Sequence, residues 1–167
     1  MQDEQFVLHY QPKVCCTTGR IIGVEALVRW QHPQRGLVWP GEFIPNMEES
    51  GLVVSLGNWV LRKACEQGVA WKAQGLGPIT VAVNLSARQL REGDLHGTVQ
   101  RVLDETGLPP RWLELELTES MLMEDVEQTI STLKAIRELG VQLSVDDFGT
   151  GYSSLSYLKR FPLDAVK

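Results

Sequence analysis

The segment Val141-Gln142-Leu143-Ser144-Val145-Asp146-Asp147-Phe148-Gly149-Thr150-Gly151-Tyr152-Ser153-Ser154 reads as a strand running into a glycine-spaced turn, with serines suited to starting a helix behind it. Alternate residues of a strand face opposite sides. Val141, Leu143 and Val145 therefore share one face, and Gln142, Ser144 and Asp146 share the other. Two adjacent carboxylates close the strand. Neighbouring acids repel, and they are costly to hold together unless a cation or a hydrogen-bond network stabilises them. In parallel α/β barrels the C-terminal end of a strand is also where the chemistry sits. The segment predicts an α/β protein with a metal site at that end.

The rest of the chain carries the same rhythm. Residues 6–14 and 20–30 read as strands joined by a turn at Thr17-Thr18-Gly19, and 32–39 reads as a loop containing Pro33 and Gly36. Helices are predicted over 40–49 and about 56–74. A strand over 79–84 is followed by Ser86-Ala87-Arg88-Gln89, a capping-box pattern. Leu95, Val99, Val102 and Leu103 then make a helical stripe ended by Gly107. A strand over 113–117, a helical stripe at Val126, Ile130, Leu133 and Ile136, the strand 141–146, a short helix over 153–159 and a strand start at 163–167 complete the pattern. Strands alternating with helices indicate a parallel sheet. About six strands are expected, where a closed barrel needs eight, so the reading is an incomplete TIM-type barrel.

Composition narrows the function classes. The chain has 167 residues, 43% hydrophobic and 22% charged, which suits one globular domain with a buried core. A net charge of -5 argues against a polymeric nucleic acid as partner. A phosphate ligand remains compatible if metal ions stand between the negative partners. Cys15, Cys16 and Cys65 form no paired spacing, so free thiols in a reducing cytosol are expected rather than disulfides or a zinc site. No signal peptide is recognisable. The apolar stretch 52–61 is too short to span a bilayer. A cytoplasmic domain is expected, with a membrane anchor upstream left open.

Strand parity then selects a constellation. Glu25, Asn84, Glu116 and Asp146 fall near strand C-termini on the face opposite the aliphatic one, and Lys167 shares that face on the next strand. Asn84, Glu116 and Asp146 are about 30 residues apart, one strand-helix unit each. Four oxygen donors at one mouth suit magnesium or manganese better than zinc. Asp147 beside Asp146 offers a ligand to a second ion, and paired metals are a common device for phosphoryl displacement. Taken singly, each residue has a blander reading. Glu25 suits a structural ion pair, Asn84 a turn cap, Lys167 a solvated surface position, and Glu114 a structural or solvent-facing role. The Asp-Phe-Gly triplet occurs in protein kinases, but no His-Arg-Asp loop or suitable glycine-rich loop accompanies it. The shared parity and shared strand end favour the site.

Val24-Glu25-Ala26-Leu27 with Arg29 and Trp30, Phe43-Ile44-Pro45, Val83-Asn84-Leu85-Ser86, Glu116-Leu117-Thr118-Glu119-Ser120 and the double-aspartate segment together resemble the EAL domain, the bacterial cyclic-di-GMP phosphodiesterase module. The resemblance covers essentially the whole chain, 1–167. It implies a modified (β/α)₈ barrel with an atypical first strand. By similarity, Glu25, Asn84, Glu116 and Asp146 would bind one metal, and Asp146 and Asp147 a second. Lys167 would stand near the attacking water, and Glu119 would steady the loop bearing the aspartates. Gln11 and Arg29 would contact the nucleotide, and Leu27 would line its pocket.

The implied reaction is metal-dependent hydrolysis of cyclic di-GMP to linear pGpG. The alternatives are a receptor that binds without cleaving, or a protein-interaction module. Receptor-type members usually lose metal ligands or the double aspartate; here Glu25, Asn84, Glu116, Asp146, Asp147 and Glu119 are all present, which favours the enzyme. A homodimer and an upstream sensory or GGDEF-type domain are also expected. The family's glutamate and glutamine from the seventh and eighth barrel units have no counterpart in these 167 residues, so the chain by itself is expected to hydrolyse little or nothing.

Overall fold

A computed structural model describes residues 5–123, 125–146, 149 and 158–167. Strands β1 (Phe6–Val14) and β2 (Ile21–His32) form an antiparallel pair, with Gln11 opposite Glu25 and Lys13 opposite Gly23. A short strand β3 (Gly36–Val38) pairs antiparallel with β2. The remaining strands, β4 (Thr80–Asn84), β5 (Leu113–Thr118), β6 (Gln142–Asp146) and β7 (Ala165–Val166), extend the sheet in parallel from β2. The order is β1-β2-β4-β5-β6-β7. The sheet is the predicted α/β arrangement, and the expected atypical first strand proves to run antiparallel to β2.

Helices α1 (Pro40–Glu49), α2 (Leu52–Ala73), α3 (Ala87–Glu92), α4 (Leu95–Thr106), α5 (Glu119–Met123) and α6 (Val126–Glu138) accompany the strands, with a 3₁₀ turn at Pro110–Trp112. The aliphatic parity of the sheet packs against them. Val81, Leu113, Leu115, Leu117, Leu143 and Val145 are all fully buried with Leu61, Ala64, Val99, Leu133 and Ile136 from the helices. Removing such side chains from water is the main stabilising contribution, roughly 1.5–3 kcal/mol each. Aromatic packing fixes the first strands to α1 and α2. Phe6 lies 6.0 Å from Trp30, 5.7 Å from Phe43 and 6.3 Å from Trp59 between ring centroids. Among the described residues no helix is long and apolar enough to cross a membrane.

Several expectations needed correction. The stretch read as a loop over 32–39 contains β3, so the described residues hold seven strands rather than six. Helix α2 starts at Leu52 rather than near 56, because Gly51 at φ 75 turns the chain directly out of α1. The helical region after Ser86 is two helices, since Asp94 caps a second start by accepting from the Gly97 amide at 2.8 Å. The aliphatic face is not uniformly covered, as Ile22 stays half exposed. The helix expected over 153–159 lies almost wholly outside the described residues.

Candidate active site

The face opposite the helices carries the polar parity, and register aligns it. Asn84 pairs with Glu116, Glu116 with Ser144, Thr118 with Asp146, and Ser144 with Ala165, two residues before Lys167. Asn84, Glu116, Asp146 and Lys167 thus project from the same face at or near the C-terminal ends of their strands. The parallel pairing, which delivers successive C-termini to one edge, makes this possible. Glu25, expected there too, instead lies in the first half of β2, because pairing with β1 and β3 prolongs that strand to His32.

An ion cluster surrounds Glu116, whose side chain is fully buried. Its Oε1 accepts from Lys13 Nζ at 2.7 Å and also from Lys167 Nζ. Its Oε2 is buried without a hydrogen-bond partner. Glu114, two residues earlier on the same face, accepts from Lys13 at 2.8 Å and from the Ser144 hydroxyl at 2.6 Å, with Lys167 at 3.3 Å. Burial works to raise the Glu114 pKa, but the hydrogen bonds from Lys13 and Ser144 and the two lysine charges outweigh it and hold the carboxyl below its usual range. Burial likewise disfavours the Lys167 ammonium, yet the Glu116 hydrogen bond and the charges of Glu114 and Glu116 push its pKa above the usual lysine value. Lys167 is therefore a fixed cation here. Glu114, read from sequence as structural or solvent-facing, is mostly buried inside this ion cluster.

Glu25 and Asn84 meet directly, the Asn84 amide donating to Glu25 Oε1 at 2.7 Å. Asp146 closes β6, half-buried at the end of the same face. Asp147 lies outside the described residues. Glu119 opens α5 and is buried, with Oε2 accepting from the Gly149 amide at 3.0 Å. It thus holds the turn that follows the two aspartates. Among the described residues, no three His, Cys, Asp or Glu side chains form a closed metal cage. The donors nevertheless suit a hard cation: they are carboxylate and amide oxygens, and one buried carboxylate oxygen of Glu116 lacks any partner.

The proposed nucleotide-contacting residues line the adjoining region. Leu27 and Asn84 both border a pocket of about 270 Å³ formed with Ile44, Val53, Leu56 and Gln89. Arg29 is buried, its guanidinium 4.3 Å from the Trp39 ring centroid, with Nη1 donating to the Val28 carbonyl at 2.8 Å and Nε buried without a partner. Gln11 is exposed beside Glu25. Sequence reading missed Lys13. Its parity with Gln11 was available, but its partners lie three strands away along the sheet order.

Comparison with known proteins agrees with this architecture. The EAL domain family matches residues 1–167. MucR of Pseudomonas aeruginosa, a bifunctional diguanylate cyclase/cyclic di-GMP phosphodiesterase, is 48% identical over all of this chain, which covers 24% of that protein. The cyclic di-GMP phosphodiesterase PdeR of Escherichia coli is 46% identical over all of this chain and 25% of its own length. The chain thus spans about a quarter of these relatives. Among solved structures, the PaMucR phosphodiesterase in complex with c-di-GMP superposes with a TM-score of 0.93 at 49% identity, covering 97% of this chain and 66% of that one. The EAL domain of Mycobacterium smegmatis DcpA superposes at 0.78 with 39% identity, over 96% and 64% of the two chains. With a matching sheet, matching helices and a family match along its entire length, this chain belongs to the EAL domain family.

Proposed function

We propose that this domain carries the metal-dependent hydrolytic site of a cyclic-di-GMP phosphodiesterase, opening one phosphodiester bond to give linear pGpG. The observation that carries the reading is the buried, unpartnered Oε2 of Glu116 at the strand-end mouth shared with Asn84, Glu25 and Asp146. A buried carboxylate oxygen left without a donor is costly unless a cation meets it. Glu25, Asn84, Glu116 and Asp146 would hold magnesium or manganese, with Asp147 beside a second ion. When bound, such ions neutralise phosphate charge and lower the pKa of coordinated water.

The chain's own residues supply the positioning. The Asn84–Glu25 hydrogen bond keeps two donors together at the mouth. Glu119 restrains the turn behind the aspartates through the Gly149 amide. Lys167, held as an ammonium, offers a fixed positive charge beside the scissile phosphate and its attacking water. Arg29, braced on Trp39, presents guanidinium donors toward the nucleotide phosphates. Leu27 and its pocket give an apolar surface for a purine. Water attacks phosphorus, the bond to the 3′ oxygen breaks, and that oxygen leaves with a proton. Fixed dipoles and charges of this kind contribute most where charge develops in the transition state. The P. aeruginosa relative is named as bifunctional, which supports a diguanylate cyclase domain as a covalent neighbour.

The test is turnover of cyclic di-GMP by the full-length protein with Mn²⁺ or Mg²⁺, with chelator, and after Glu116→Gln. Metal-dependent pGpG formation that chelation and Glu116→Gln both abolish is expected. Turnover unaffected by either would overturn the reading.

A further inference from the structure

We propose that Lys13 is a positioning residue that sets the orientation of the Glu116 carboxylate toward the cation. The inference rests on the metal-site reading above. Lys13 Nζ lies 2.7 Å from Glu116 Oε1 and 2.8 Å from Glu114 Oε2. With Oε1 held by Lys13 and Lys167, the carboxylate cannot rotate freely, and Oε2 is the oxygen left to face a metal.

Lys13 reaches Glu116 across the concave face of the sheet. It stands on β1, and β2 and β4 lie between it and β5. The intervening positions on that face are small where the lysine stem passes. Gly23 is directly opposite Lys13, and a Cβ there would stand 3.7 Å from Lys13 Cδ and 2.9 Å from the Thr80 carbonyl. Ala82, paired with both Glu25 and Glu114, is the next small residue along that path. A larger side chain at either place would fill the route.

Charge gives Lys13 a second effect. Glu114 and Glu116 project from one face of one strand and repel each other. Without Lys13, Lys167 would be the sole cation beside both acids among the contacts described. It would be drawn toward the sheet, away from the mouth. Lys13 binds Oε2 of Glu114 and Ser144 binds Oε1, so Lys167, 3.3 Å from that Oε1, keeps its hydrogen bond to Glu116. Buried ion pairs stabilise folds poorly compared with apolar packing. Orienting a ligand is a better physical reason for this cluster than stability.

The experiment is a Mn²⁺ titration of the metal-free full-length protein, followed by electron paramagnetic resonance of the free ion. Glu116→Gln identifies the binding that belongs to this site. Lys13→Met is expected to weaken that binding by about 10–100-fold, as loss of groups orienting a ligand typically does, and Lys13→Arg to regain most of it. If Lys13→Met does not fold, Lys13→Gln is read instead, with a smaller loss expected from its neutral donor. Wild-type or tighter Mn²⁺ affinity in a folded Lys13→Met or Lys13→Gln protein would overturn the role of Lys13 alone. Absence of any Mn²⁺ binding that Glu116→Gln removes would overturn the metal-site reading itself.

Discussion

Gly57 lies inside α2, where alanine would ordinarily be favoured by about 1 kcal/mol. Here the opposite is predicted. A Cβ on Gly57 would stand 2.2 Å from the Gln89 carboxamide carbon and oxygen and 2.3 Å from its nitrogen. Gln89 is only 3% exposed, and its carboxamide can move aside only by giving up the bonds that hold it. Its Oε1 accepts from the Ser86 amide at 3.2 Å and the Ser86 hydroxyl at 3.1 Å, and the Ser86 hydroxyl oxygen accepts from the Gln89 backbone amide, closing the capping box that starts α3. Displacing Gln89 loses the cap, about 1 kcal/mol. It also strands a partly buried amide donor, about 1–3 kcal/mol. Against the helical gain, Gly57→Ala is expected to destabilise by roughly 1–3 kcal/mol net. Urea unfolding with an unchanged m-value measures this. In a Gln89→Ala background the clash is gone, and the same substitution should stabilise by a few tenths to 1 kcal/mol. Stabilisation by Gly57→Ala alone, or an equal cost in both backgrounds, would refute the reasoning. Ser86 follows Asn84 closely, so Gly57→Ala should also weaken Mn²⁺ binding at the mouth.

Three further outcomes are expected. Cys65 is buried, and burial pushes its thiol up to about 12, helped by the Glu66 charge and partly offset by Arg62. Tyr10 is raised to about 12, first by burial. Both groups keep in the folded state a proton that the unfolded chain gives up, so their stability is complete below about pH 9 and lost as pH rises toward 12. Cys65 alone should contribute a slope of about 1.4 kcal/mol per pH unit in that window, and Cys65→Ala should flatten it in pH-dependent unfolding. A thiol reagent at neutral pH should modify Cys16 and Cys15, the latter activated by hydrogen bonding from Thr18, and reach Cys65 only on unfolding. Glu119→Ala, which frees the Gly149 amide, should lower cyclic-di-GMP turnover about 10–100-fold, and wild-type turnover would contradict its role.

Much of the architecture was legible because it rests on local periodicity. The alternation in Leu113–Thr118 and Gln142–Asp146 fixes which side chains meet the helices, and parity then aligns Glu116 with Asn84 and Ser144. The Ser86–Gln89 capping box was readable for the same reason: both partners lie within one helical turn. What escaped depends on distant partners or very short elements. Strand β3 has three residues and exists only because β2 offers an edge. Helix α5 has five, too few to show a stripe. The engagement of Lys13 with Glu116 joins positions 103 residues apart and depends on sheet curvature, which no local pattern encodes. For Glu114 the sequence left a structural and a solvent-facing role open; the structural one holds, and its partners Lys13, Ser144 and Lys167 all lie far away in sequence.

The hydrolytic role assigned to the strand-end carboxylates is tested most directly by running cyclic di-GMP through the full-length protein and Mn²⁺ in ¹⁸O-labelled water, with the product read by mass spectrometry. One ¹⁸O in the 5′-phosphate of pGpG, and no product from Glu116→Gln or Asp146→Asn, is the expected result. Unchanged cyclic di-GMP from a folded, metal-bound wild-type protein, or labelled product formed equally by both variants, would contradict it.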